Sequence, residues 1–151
     1  MMDREHSTED EGTFHLRNYV LDGELLEVDY VENQKVKEGV ECDIYVFTDD
    51  ETRDLAIVRV DPGSRTPLQR VLSGTRTLEC YQTGSGRLTV IEVDGKSIEY
   101  IFPSEDGDLS VTIEVGQIMQ WTADADSVLT FSEVCYPPYQ EGRFEDLDLT
   151  R

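Results

Sequence analysis

A chain of 151 residues with 33 acids against 13 bases has a formal charge of −20, and a surface of that sign repels nucleic-acid phosphates and anionic lipid, which excludes both as partners. The length suits one domain that closes a core without disulfide or metal staples, and no apolar run approaches the length of a membrane span. Three cysteines, Cys42, Cys80 and Cys135, lie in apolar runs without CxxC spacing, which argues against a disulfide framework or a zinc site.

Residues 1–12 are acidic and polar and carry no aromatic. They read as a disordered tail, not as a secretory or mitochondrial leader, so the expected location is the cytoplasm and the expected domain spans 13–151. Structure is expected to begin within 13–19. Short β-type runs follow at 25–31, 43–48, 55–60, 77–83, 87–93, 97–102, 109–115, 118–123 and 127–136, each rich in β-branched or aromatic residues. Turn chemistry separates them: Asp61-Pro62-Gly63-Ser64, Thr83-Gly84-Ser85-Gly86, Asp94-Gly95 and Glu105-Asp106-Gly107-Asp108. Asp94-Gly95 between two alternating runs is a hairpin signal. Only 49–54 and 142–149 have room for a helical turn. Many short strands at regular spacing predict an all-β sandwich or barrel. Charge is uneven along the chain, with a net of −12 over 1–54, +1 over 55–104 and −9 over 105–151.

The order of the turns and strands over 60–147 resembles the barrel of the cupin superfamily. Asp61-Pro62-Gly63 resembles the turn opening the first cupin motif, and Thr66-Pro67-Leu68-Gln69 the segment before the paired histidines of that family. Thr83-Gly84-Ser85-Gly86-Arg87-Leu88-Thr89-Val90 is similar to the glycine turn and strand that close the motif. Glu114-Val115-Gly116-Gln117 is similar to the Pro-x-Gly turn opening the second motif, with Glu114 in place of proline. The stretch Glu133 to Tyr139, followed by Arg143, is similar to the exit strand of small cupins, and the Leu-Gln and arginine features look nearest to sugar-phosphate isomerase-type members. The resemblance implies a single cupin-like jelly-roll barrel with extra N-terminal strands, and a homodimer.

The family holds a divalent metal with two histidines and a glutamate in the first motif and a histidine in the second. Here the glutamate slot falls on Thr77, the first histidine slots near Val71 and Ser73, and the last on Met119. Valine, two hydroxyls and a thioether are poor ligands for Mn, Fe or Zn. His6 and His15 lie before the barrel. The expectation is therefore no metal and no other cofactor.

Strand side chains alternate between faces. If Thr77 faces inward, so do Glu79 and Tyr81, and Met119 and Trp121 share the inner face of another strand. These four make an amphipathic, aromatic pocket with one carboxylate, the usual make-up of a small-molecule site; the plainer alternative for Tyr81, Met119 and Trp121 is core filling. An inward carboxylate needs a partner, and Arg70 or Arg76 is the natural one. Arg65, Arg70 and Arg76 would sit at the barrel mouth, where guanidinium groups suit capture of an anion; the alternative is weak surface ion pairing. The expected ligand-binding set is Arg70, Arg76, Glu79, Tyr81, Met119 and Trp121. Three functions stay open: a metal-independent, non-catalytic binding module for a small anionic or sugar-like molecule, a metal-free sugar or sugar-phosphate isomerase or epimerase with Glu79 as base and Tyr81 as acid, and a structural or oligomerisation domain with a filled barrel.

Overall fold

The computed structural model describes residues 15–147 except 106 and 108; the expected tail lies outside the described residues. Twelve strands and no helix are present among them. They are β1 (Asn18–Leu21), β2 (Glu24–Lys37), β3 (Val40–Phe47), β4 (Asp50–Val60), β5 (Gln69–Val71), β6 (Arg76–Thr83), β7 (Gly86–Ile91), β8 (Ser97–Phe102), β9 (Ser110–Ile113), β10 (Ile118–Ala123), β11 (Leu129–Tyr136) and β12 (Phe144–Asp146). Neither segment with room for a helical turn forms one among the described residues. Asp50 opens β4 because the β3–β4 hairpin pairs Phe47 with Asp50, and β12 pairs with β5 from Phe144 to Asp146.

Two antiparallel sheets curl around one interior as a cupin-type jelly roll. The seven-stranded sheet has the order β1-β2-β3-β4-β11-β6-β9, and the five-stranded sheet the order β12-β5-β10-β7-β8. Their facing sides bury Val40, Val58, Val60, Leu88, Val90, Phe102, Met119, Trp121, Leu129 and Phe131. Period-2 alternation places the polar partners of these residues on the opposite faces. The Asp94-Gly95 hairpin joins β7 to β8: the Gly95 amide donates to the Glu92 carbonyl at 2.8 Å, and φ is +94° at Gly95. Gly84 is fixed by space as well as by its φ of +89°, since a Cβ there would lie 1.9 Å from the Val128 carbonyl oxygen.

The extra N-terminal strands give the seven-stranded sheet a second, outer core. Tyr19, Leu21 and Val28 pack with Tyr45, Phe47, Leu55, Leu78 and Val134, and the Tyr19 hydroxyl shares a hydrogen bond with the Ser132 hydroxyl. β11 is thereby buried on both faces. That position makes it the rigid centre on which the interior site is built.

Candidate functional site

One register row of the large sheet carries the site. Ile44 pairs with Ala56, Ala56 with Glu133, Glu133 with Glu79, and Glu79 with Val111. Two carboxyl groups thus lie directly opposite each other on adjacent strands, flanked on both sides by hydrocarbon. Like charges directly opposed across strands are destabilising, and a carboxylate buried in apolar surroundings is more so.

Glu79 is fully buried, at 0% exposure. Its Oε1 accepts a 2.7 Å hydrogen bond from the Trp121 indole N–H, which reaches across the barrel from β10. Its Oε2 receives no N–H or hydroxyl donor from the described residues. The Glu133 carboxyl is its neighbour across the β6–β11 pair. Burial first, then the Glu133 charge and the hydrogen bond with it, hold the Glu79 carboxyl well above the ordinary glutamate value of 4.5, against the opposing pull of Trp121.

A cavity of about 530 Å³ opens beside this pair, within the size range of small-molecule sites. Its floor and walls include Glu79, Glu133, Met119, Trp121, Phe131 and Gln69, and exposed residues of β2 from Glu32 to Val36 stand at its rim. Asp54 also lines it; burial raises its carboxyl, and the Tyr139 amide at 3.0 Å offsets part of that rise. Cys42 and Cys135 line it too, and burial pushes both thiols up, Cys42 to about 12. Among the described residues Lys35 is the one basic residue in the lining.

Rings fill the other end of the barrel. Tyr81 stacks on Phe102 at 5.0 Å, Phe102 lies 5.5 Å from Trp121, and Trp121 stacks on Phe131 at 4.3 Å. Aromatic stacks at these separations contribute beyond their buried area. The interior is therefore part core and part cavity, with Trp121 at the boundary.

No family model and no curated sequence matches the chain. Solved structures do. An oxalate decarboxylase from Bacillus subtilis aligns with a TM-score of 0.65 and 18% identity over 90% of this chain and 33% of its own. The Lactobacillus farciminis oxalate decarboxylase aligns with a TM-score of 0.62 and 20% identity over 80% of this chain and 33% of its own. A cupin-2 domain protein from Rhodospirillum rubrum aligns with a TM-score of 0.57 and 17% identity over 87% of this chain and 80% of its own. The chain has the cupin fold. It spans about a third of the length of the oxalate decarboxylases it resembles.

The residues in the cupin metal slots do not fit a metal ion. Thr77 is buried, and its Oγ1 accepts from the Arg143 guanidinium at 2.9 Å; a buried cation there opposes a second one. Val71 is buried hydrocarbon, Ser73 is exposed, and Met119 offers a thioether. His15 stacks on Tyr30 of the N-terminal hairpin, with ring centroids 3.5 Å apart. Among the described residues no group of three or more His, Cys, Asp or Glu side chains could hold a metal.

Of the residues singled out in the sequence, the cupin barrel brings Glu79, Met119 and Trp121 to the cavity. Tyr81 shares the inner face but lies in the ring stack, and its hydroxyl donates to the Gly84 carbonyl at 2.6 Å. Arg70 and Arg76 do not line the cavity: Arg70 pairs with Glu145 at 3.1 Å on the surface, and the Arg76 guanidinium lies 4.3 Å from the Tyr136 ring centroid. Neither is the partner of Glu79; Trp121 and Glu133 are, a correction to the expected arginine. Sequence reasoning missed Glu133 because it is 54 positions from Glu79 and only the β6–β11 register joins them. Arg143, noted in the sequence only as a feature of the exit segment, is 2% exposed and donates to the carbonyls of Pro137 at 3.0 Å and Arg76 at 2.6 Å. A lone arginine after a Tyr-Pro-Pro-Tyr segment carries no sequence signal for such a role.

Proposed function

We propose that this domain is a metal-independent cupin-type binding module that holds a small, polar, sugar-like molecule in its barrel, in the cytoplasm. The observation that carries this is the cavity of about 530 Å³ with Glu79, Glu133, Gln69 and Trp121 facing into it. Convergent polar groups beside aromatic walls are what a small polar ligand requires, and a filled, purely structural barrel would leave no such space. The anionic half of the expectation loses its support. Four carboxylic residues, Glu32, Asp54, Glu79 and Glu133, line the cavity against one lysine, so a ligand carboxylate or phosphate meets charge of its own sign. Three free cysteines, Cys42, Cys80 and Cys135, suit a reducing compartment.

Differential scanning fluorimetry with neutral sugars, polyols and organic acids tests the reading. The expected result is a rise in Tm with a neutral or donor-rich compound that is lost in Ala56→Leu, which fills the cavity beside Glu133. Equal shifts in both proteins would place binding elsewhere and defeat it. Metal content after purification, together with binding unchanged by a chelator, tests metal independence.

A second reading, acid–base catalysis by a metal-free isomerase or epimerase, is favoured by one observation. A buried carboxyl with a raised pKa beside a second carboxyl is the arrangement in which one group gives and the other takes a proton. Glu79, whose carboxyl is biased toward its protonated form, would be the acid and Glu133 the base, a change from the expected Glu79 base and Tyr81 acid; the Tyr81 hydroxyl is held by Gly84 outside the cavity lining. Glu79→Gln should then abolish aldose–ketose turnover while the fold persists.

A further inference from the structure

The carboxyl pair also indicates which polar ligand the barrel is built for, an inference that rests on the binding reading above. Glu79 Oε2 is buried and receives no donor from the described residues, and Glu79 lines the cavity. The indole N–H of Trp121 is already engaged at Oε1. Hydrocarbon of Ala56 and Val111 flanks the pair in its row, so the strands to either side bring no donor. Basic groups that could neutralise it are engaged elsewhere: Arg70 by Glu145, Arg76 over Tyr136, and Arg143 by main-chain carbonyls and Thr77. Lys35 stands on an exposed stretch of β2 at the rim. What the site lacks is a donor-rich positive group, and the cavity that Glu79 and Glu133 line is of small-molecule size.

We propose that the barrel binds a small organic amine, its protonated ammonium group donating to Glu79 Oε2 and to the Glu133 carboxyl while its carbon skeleton lies against Met119, Phe131 and Trp121. An ammonium carries three donors and no acceptor, which matches an acceptor pair, and a charge-assisted bond is the stronger kind. The negative lining concentrates cations at the mouth. Aromatic walls favour a cation over a neutral group of equal size.

The test uses the full chain and matched pairs of probes at pH 7: ethanolamine with ethylene glycol, 1,4-diaminobutane with 1,4-butanediol, and glucosamine with glucose. Affinity is read by isothermal titration for wild type, Glu79→Gln and Glu133→Gln, with circular dichroism to confirm that each variant is folded. The expected result is at least one pair in which the amine binds tenfold or more tightly than its uncharged counterpart, with that preference lost in both variants. Binding of uncharged members with no preference for any amine overturns this inference and leaves the binding module standing. No binding by any of the six overturns both. A preference for amines that persists unchanged in both variants reflects the general charge of −20 and also overturns it.

Discussion

Replacing Glu79 with glutamine should make the protein more stable, which is an unusual expectation for a fully buried, hydrogen-bonded side chain. The amide keeps a carbonyl oxygen for the Trp121 N–H and brings an NH₂ to face Glu133, so the acceptor left without a donor at Oε2 disappears. The gain has a ceiling. In the unfolded chain a glutamate titrates near 4.5, so at pH 7 the native state bears at most the cost of protonating it across a gap of about 2.5 pH units, or about 3 kcal/mol. Releasing a buried unpaired polar atom is worth about 1–3 kcal/mol on independent grounds. For a chain of this length that raises Tm by roughly 3–9 °C. Glu79→Leu provides the opposite sign, because it orphans the Trp121 N–H inside the barrel, and it should cost about 1–3 kcal/mol. Urea unfolding at pH 7, followed by circular dichroism, reads both. A Glu79→Gln protein less stable than wild type by 1 kcal/mol or more would mean that the carboxylate is satisfied, and the account of the pair would fail.

The same group sets a pH signature. A carboxyl raised in the native state stabilises most below its unfolded value of 4.5, and that contribution is lost as pH rises through the native value. The stability advantage of Glu79→Gln over wild type should therefore be near zero at pH 4 and grow with pH, and a difference that shrinks with pH would refute it. Arg143→Ala should destabilise by about 2–4 kcal/mol, since it strips the carbonyls of Pro137 and Arg76 and the Thr77 hydroxyl of their shared donor; urea midpoints measure this. Cys42, Cys80 and Cys135, all with thiols raised by burial, should resist a disulfide reagent in the native protein at pH 8 and react fully in guanidinium. Rapid native reaction of any one would contradict its placement.

The sequence showed most where local chemistry decides structure. β8 and β10 run over the segments read as Ser97–Phe102 and Ile118–Ala123, because alternation and the bordering turns act within a few residues. The second half of β2 was not readable. Glu32-Asn33-Gln34-Lys35 has poor strand propensity, and only the pairing with Cys42, Asp43 and Ile44 of β3 extends it. β5 and β12, three residues each, are too short to show a period. Faces were readable from strand parity, so Glu79, Met119 and Trp121 could be placed inward. Partners were not, because parity says which way a side chain points and nothing about what it meets. The pairing of Glu79 with Glu133 is a fact of register, and the site of Arg143 is a fact of how the chain closes after β11.

Trp121 is the single tryptophan of the chain, and its indole N–H ends on the very carboxyl that the cavity leaves half-bonded. Besides its seven tyrosines the molecule thus contains one indole fluorophore, hydrogen-bonded to the group whose charge matters most. Gain or loss of a proton at Glu79, or arrival of a guest beside it, alters the field along the indole and with it the emission. Occupancy of the proposed site would be read by ultraviolet excitation of the unlabelled protein, with no dye, tag or added tryptophan.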